Sequence, residues 1–198
     1  ERLRSLCIVS SNLDEFFEVR AEPHLTAWRA GTDVQGGMRH LMAAAHALVE
    51  RQYAIYNEVL LPAMATRRMR IVSHIDRTEA QRKWVREYFL REVKPLLVPV
   101  ALDPAHPFPL VANKSLNFIV QLKGKDAFGR SNEIAIVKVP RVLPRVLRLA
   151  ERVTGGEMLF VMLSSVIRAH LADLFPGRDV GDFSHFRVTR DSDLSVDE

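Results

Sequence analysis

A proline-rich segment divides the chain into two parts with different sequence patterns. Five prolines fall between Lys94 and Phe118, in "KPLLVPVALDPAHPFPLVANKSLNF". Proline fixes φ and lacks the backbone N–H donor, so this segment cannot form a regular helix. Before it, apolar residues recur at helical spacing, and after it they form short strand-like runs. The sequence therefore predicts an α+β protein, with an antiparallel helical domain over residues 1–94 and a mixed α+β domain over residues 105–198.

Three helices are predicted in the first part. The first runs from the start of the chain to about Arg20, with Pro23 following its end. After the loop "AGTDVQGGM", a long helix covers about residues 39–66, and Pro62 is expected to kink or end it. A third helix begins after a cap at Asp76 or Thr78 and reaches about Val93. Its apolar stripe consists of Trp84, Val85, Tyr88 and Phe89.

The second part combines strands with two helices. Apolar and β-branched runs predict strands over residues 116–122, 134–139, 158–163 and 185–190. A short helix is predicted from Pro144, and a longer one over residues 164–175, where "PG" ends it.

Composition narrows the class of protein. The chain has 198 residues, of which 47% are hydrophobic and 26% charged, so it can bury a core and is not disordered. No apolar run reaches the length of a membrane span, and the first residues do not form a signal peptide. The single cysteine, Cys7, excludes an internal disulfide and is expected in the core. We expect a cytoplasmic protein, with association at a membrane surface left open.

The ends of the chain suggest a piece of a longer protein. It opens inside a helical pattern without a capping residue, and it stops at "SDLSVDE".

The motifs of common enzymes are missing from the sequence. There is no P-loop, no dinucleotide-binding glycine pattern and no metal-spaced histidine pair. The seven histidines are scattered, which favours surface or hydrogen-bonded roles for each. A carboxylate pair at Asp14 and Glu18 is better explained as a solvated or salt-bridged helix face.

Three arginines form a candidate polyanion-facing stripe. With a helix starting at Pro144, the spacing of Arg145, Arg148 and Arg152 places them on one face. Such a stripe could face a polyanion, although a solvated face with Glu151 nearby is favoured. The net charge of +4 is too small to indicate nucleic acid by itself.

Asn12 stands out within "IVSSNLDEFFEVR". On a helix its neighbours three and four residues away include Ile8, Val9 and Phe16. The spacing alone favours a buried amide that bonds to a neighbouring helix. The alternative is contact with a planar ligand, because a carboxamide donates and accepts at once and so matches an adenine edge.

Several segments, in order, resemble one family. "ERLRSLCIVSSNLDEFFEVR" resembles the amino-terminal helical domain of the polyphosphate kinases. "LDPAHPFPLVANKSLN", "VKVPRVLPRVLRL", "FVMLSSVIRAHLADLFPG" and "FRVTRDSDLSVDE" are similar to segments of that family's second, "head" domain. The resemblance spans nearly the whole chain. It implies that residues 1–94 form the edge of a nucleotide pocket and that residues 105–198 are the head domain.

The resemblance also implies a reaction. The family transfers the terminal phosphate of ATP reversibly to polyphosphate, releasing ADP, through a phosphohistidine and with magnesium. Its "SNLDEF" asparagine contacts ATP, and only Asn12 matches that position. The phosphorylated histidine and the magnesium ligands belong to carboxy-terminal domains that this sequence lacks, so we expect no catalytic residue and no metal ligand here.

The resemblance further implies a homodimer formed through the head domain. The competing hypothesis is a non-catalytic module that binds a polyanion or nucleic acid. It would require basic residues interleaved with exposed aromatic side chains. Trp84, Tyr88 and Phe89 lie on one apolar stripe instead, so we expect no nucleic-acid partner.

Overall fold

The computed structural model describes residues 1–103, 107–125, 129 and 133–190. The chain forms two compact units. Glu1–Arg67 forms the first, together with Thr189 and Arg190, and Arg68–Val188 forms the second. The first is helical and is called the helical unit below. The second combines helices with two sheets and is called the mixed unit. The α+β class predicted from the sequence is therefore confirmed.

The helical unit contains four α-helices and no strand, and the structure describes all of its residues up to Arg67. Helix α1 is Arg2–Val19, α2 is Glu22–Arg29 and α3 is Gly37–Ala54. The long helix then widens into a π-helical turn at Ile55–Leu60 and ends as α4, Leu61–Ala65. Helix α2 is an element that the sequence reasoning did not predict.

Two prolines explain departures from the predicted helices. Pro23 lies in the first turn of α2, where its missing N–H costs nothing because that donor has no partner within the helix. It therefore begins a helix as well as following one. Pro62 lies one turn beyond Glu58, and its ring would clash with the carbonyl of that residue in a regular helix. The π-helical turn that contains Glu58 allows the helix to continue without this clash.

Side chains connect the helices of this unit. The two carboxylate oxygens of Asp33 accept hydrogen bonds from Gly37 N at 2.7 Å and Met38 N at 3.0 Å, which caps α3. The Gln52 amide on α3 donates to the Leu6 carbonyl of α1 at 2.7 Å and to Ser10 Oγ at 2.6 Å. These bonds fix the start of α3 and hold α3 beside α1.

The mixed unit contains two sheets. Its strands are β1 to β7 in chain order, and their bounds are Met69–Ile71, Pro99–Ala101, Leu116–Lys123, Ile134–Lys138, Val146–Arg148, Met158–Met162 and Asp179–Arg187. One sheet has the order β1-β6-β5, with β1 parallel and β5 antiparallel to β6. The other is antiparallel, in the order β2-β4-β3-β7.

Helix α5, Glu79–Tyr88, is part of the mixed unit rather than of the helical unit. Thr78 begins it with a capping box, accepting from Gln81 N while the Gln81 side chain bonds back to Thr78 N. The helix continues as a π-helical turn, Phe89–Val93. Its apolar stripe is confirmed, because Val85 and Phe89 are buried and Trp84 and Tyr88 pack at the edge of the core. The two units thus divide at Arg67, earlier than the predicted boundary at residue 94.

The core of the mixed unit joins α5 to both sheets and to helix α6, Leu163–Arg168. Phe118 and Val161, one from each sheet, and Phe89 are all fully buried in this core. In the helical unit, by contrast, the buried apolar residues are Ala21 and Leu60. Most of the buried apolar area therefore stabilises the mixed unit.

The predicted helix from Pro144 is wrong, and with it the helical stripe of arginines. Residues Val146–Arg148 form β5 and pair with Phe160, Val161 and Met162 of β6. Leu147 is buried between two exposed residues, which is the period-two pattern of a strand. The pairing is with residues far along the chain, so local spacing could not reveal it.

Two other elements differ in extent. The predicted helix over residues 164–175 is α6 followed by a 3₁₀ turn at Leu171–Leu174. Strand β7 starts at Asp179, before the predicted start at residue 185. Its pairing with β3 continues past a register shift between Val120 and Leu122 of β3, and this lengthens the strand. Cys7 is exposed, contrary to the expectation that it lies in the core, because α1 buries none of its residues.

No helix among the described residues is long and apolar enough to cross a membrane.

Candidate functional site

Asn12 lies in the middle of α1, and its side chain is exposed. The residues one turn away on the same face are apolar. Ile8 is 52% exposed, and Phe16 is half-buried. Phe16 in turn packs edge-on against Phe17, with ring centroids 5.7 Å apart. Asn12 is thus an amide on the surface, flanked by apolar side chains.

The side-chain amide of Asn12 makes no hydrogen bond in the described part of the chain. The hypothesis of a buried amide that bonds to a neighbouring helix is therefore wrong. An exposed carboxamide without a partner can donate a hydrogen bond to a ligand and accept another from it.

The carboxylates on α1 fit the interpretation of a solvated and paired face. Glu15 is exposed, and both Asp14 and Glu18 interact with other residues. In the described part of the chain, no group of three or more histidine, cysteine, aspartate or glutamate residues could hold a metal ion.

The three candidate arginines of the mixed unit are exposed. Arg145 precedes β5, Arg148 ends it, and Arg152 lies in the 3₁₀ turn Glu151–Val153. Two of them have carboxylate neighbours, with Arg148 Nη2 3.6 Å from Glu151 and Arg152 Nη2 4.0 Å from Glu87. Exposed pairs of this kind contribute about 0–1 kcal/mol. They do not form one helical stripe, and contact with a polyanion stays a prediction.

Among the histidines, two have structural surroundings. His170 is buried, its Nδ1 lies 2.9 Å from the Val166 carbonyl, and its ring stacks on Phe89 at 4.4 Å. His185 packs against Phe118, and burial followed by the charge of Arg168 lowers its pKa. His106 lies outside the described residues. These contacts support structural roles rather than catalysis for both residues.

The aromatic side chains of α5 are not placed to stack on nucleic-acid bases. Trp84 and Tyr88 stack on each other with centroids 5.6 Å apart and pack against the core, while Phe89 is buried. A single-strand binding surface needs aromatic faces open to solvent between basic residues. These three aromatic side chains therefore do not supply such a surface.

The sequence reasoning missed a buried arginine. Arg77 is 3% exposed, and one guanidinium nitrogen donates to Ser165 Oγ at 2.7 Å. Its Nε is buried without a partner in the described structure. Burial, and then the charge of Arg82, lowers the pKa of Arg77. No sequence signal marks Arg77, because it belongs to no motif and Ser165 is distant in sequence.

Comparison with known proteins assigns both parts of the chain to one group of enzymes. The polyphosphate kinase N-terminal domain matches residues 1–72, and the polyphosphate kinase middle domain matches residues 80–198. Polyphosphate kinases from Neisseria meningitidis serogroup A and from Pseudomonas aeruginosa are each 48% identical over the whole chain. The chain spans 30% of the length of each of these curated relatives.

A solved structure shows the same fold. The crystal structure of polyphosphate kinase from Porphyromonas gingivalis superimposes with a TM-score of 0.79 at 29% identity. The match covers 97% of this chain and 29% of that protein. The order of helical and α+β parts is therefore shared with that enzyme.

Proposed function

The chain belongs to the polyphosphate kinase family, and from that premise we propose that the intact protein transfers the terminal phosphate of ATP reversibly to polyphosphate. The phosphoryl group passes from ATP to a histidine nitrogen, releasing ADP, and then to the terminal oxygen of the polymer. The histidine and the magnesium ligands lie outside these residues. The proposal rests on the matches to both family domains and on the relatives that align with the whole chain.

Asn12 contributes an edge of the nucleotide site in this proposal. Its amide meets the adenine end of ATP, donating one hydrogen bond and accepting another. The support is its exposed position, its lack of a partner among the described residues and its apolar neighbours Ile8 and Phe16. The apolar side chains beside Asn12 can pack against a bound base.

The helical unit and the mixed unit have different tasks. The helical unit acts on nucleotide binding, and the mixed unit holds the intact protein as a homodimer. Light scattering of the full-length protein at micromolar concentration should give the mass of a dimer. A monomeric mass would contradict this part of the proposal. The exposed Arg145, Arg148 and Arg152 remain candidates for contact with the polymer.

Transfer of label tests the activity. Full-length protein incubated with γ-labelled ATP, magnesium and a short polyphosphate primer should incorporate label into acid-insoluble polymer. Addition of excess ADP should return the label to ATP. The 198-residue chain alone should do neither, because covalent catalysis needs the phosphoacceptor and the groups that stabilise the transferred charge. Acid-labile label on this chain would contradict the assignment of the nucleophile to other domains, and an inert full-length protein would contradict the activity.

A further inference from the structure

A basic cleft lies within the mixed unit, along one side of α5. Its volume is about 360 Å³, at the small end of the range for ligand sites. The walls come from the segment before α5, from α5 itself and from the turn after α6. The charged and titratable side chains that line it include His74, Arg77, Glu79, Arg82, Lys83 and Arg86.

Positive charge dominates this cleft. Four cationic side chains line it, Arg77, Arg82, Lys83 and Arg86, against the single carboxylate of Glu79. Arg86 is paired with Asp173 at 3.2 Å, and Arg82 reaches a backbone carbonyl at 3.5 Å. Lys83 has no ion pair within the described structure. The cleft therefore holds more positive charge than its own carboxylates neutralise.

The buried Arg77 distinguishes this cleft from a patch of exposed cations. Its guanidinium is held by Ser165 and is buried, and no carboxylate is paired with it in the described chain. Its Nε–H is buried and has no acceptor in the described chain. An arginine stays charged at any pH at which the protein is folded. A bound anion would supply the missing countercharge.

The surroundings of the cleft are also positive. Burial lowers the pKa of His74, and the charges of Arg168 and Arg77 lower it further, with Asp76 opposing them. Helix α5 begins at this cleft, so its dipole adds a partial positive charge. Val85 and Ala169 contribute apolar wall to the cleft.

We propose that this cleft binds a phosphate-class anion, either inorganic phosphate or a short linear oligophosphate. Guanidinium groups match the geometry of phosphate oxygens and can donate two parallel hydrogen bonds. One phosphate group sits between Arg77 and the cations of α5, and the small volume favours a short anion over a whole nucleotide. The site does not depend on the activity proposed above, because its ligand can be detected without turnover.

Protection of Lys83 from an amine-reactive acetylating reagent tests the site in the full-length protein. The modification of each lysine is followed by mass spectrometry, so phosphate bound elsewhere does not interfere. Saturating tripolyphosphate should slow acetylation of Lys83 at least fivefold. Lys94, exposed and not among the residues lining the cleft, should change less than twofold. Sodium chloride at matched ionic strength should protect Lys83 no more than Lys94.

Two variants make the result specific. Arg82→Gln removes an exposed lining cation and should raise the tripolyphosphate concentration for half-protection about fivefold, while Lys94→Gln should leave it unchanged. Inorganic phosphate should protect at the same concentration as tripolyphosphate or a higher one, and either result supports the proposal. Equal protection of Lys83 by chloride would overturn it, and so would no shift in Arg82→Gln. ATP that protects more strongly than tripolyphosphate would also overturn it, since the site would then recognise a nucleoside.

Discussion

Replacing Asn12 by alanine is the most direct test of how the helical unit acts. The structure places this amide on the surface of α1 without a partner among the described residues. In the full-length enzyme the change removes a donor and an acceptor from the proposed adenine contact. Because that contact is remote from the transferred phosphate, it acts on ATP in the ground state and in the transition state alike. We therefore expect a higher Michaelis constant for ATP with little change in turnover at saturating ATP.

The size of the effect follows from two neutral hydrogen bonds in a partly exposed setting. Each such bond contributes about 0.5–1.5 kcal/mol net. Because Asn12 is exposed and Ile8 beside it is 52% exposed, water competes for the amide, and the lower part of the range applies. A total loss of about 1.4 kcal/mol corresponds to a Michaelis constant about tenfold higher. Stability should not fall, since alanine exceeds asparagine in helix propensity by up to about 0.7 kcal/mol.

Steady-state kinetics over a range of ATP concentrations, beside a thermal melt, separates the two roles. Ser11→Ala is the matched control, because Ser11 is exposed on the same helix and, among the described residues, its hydroxyl bonds only to the Cys7 carbonyl at 3.1 Å. The control should keep its Michaelis constant within twofold. An unchanged Michaelis constant in Asn12→Ala, with a lowered melting temperature, would refute the nucleotide contact. Equal effects in both variants would point to a change in the helix rather than to the amide.

Three further changes test the mixed unit in the 198-residue chain. Phe89→Ala should lower the free energy of unfolding by about 3–5 kcal/mol, measured with urea, because the ring is fully buried; a loss below 1 kcal/mol would contradict that packing. Thr78→Ala should cost about 1 kcal/mol by the same assay, since it removes the capping box, and no loss would argue against the cap. In the folded protein His74 and His185 have lowered pKa values. As the pH drops below about 6.5, the unfolded chain therefore takes up protons before the folded chain does, and stability should fall. Arg168→Gln should raise both pKa values, observed by histidine NMR titration, and reduce this loss; unchanged values would remove Arg168 as a cause.

Elements with a strong local pattern were predicted correctly. Strands β3, β4 and β6 are runs of apolar residues with ends close to those expected, and α5 has a capping residue followed by a clear apolar stripe. The loop before α3 was marked by glycines and by Asp33, which caps the helix. In these segments the local propensity and the tertiary structure agree, so the sequence alone is sufficient.

The errors occur where distant residues decide the structure. Strand β5 is three residues long and is fixed by pairing with β6, whereas its arginine spacing also fits a helix. Pro23 is compatible with the end of one helix and with the start of the next, and only the structure shows α2. The buried position of Arg77 depends on Ser165, far along the chain. For the site, the sequence singled out Asn12 but favoured burial, because apolar neighbours on a helix do not show whether another element covers that face.

The unequal distribution of the core determines how substitutions in the two units can be interpreted. Of the buried apolar residues described, Ala21 and Leu60 lie in the helical unit and the rest in the mixed unit. A substitution at an exposed, unpartnered position of α1 therefore removes few packing contacts, and a change in ATP dependence there reports binding. In the mixed unit, most apolar substitutions change stability as well, since packing and any ligand contact share the same elements. Tests of the basic cleft must accordingly use its exposed cations, whereas the nucleotide contact can be tested by removing the side chain itself.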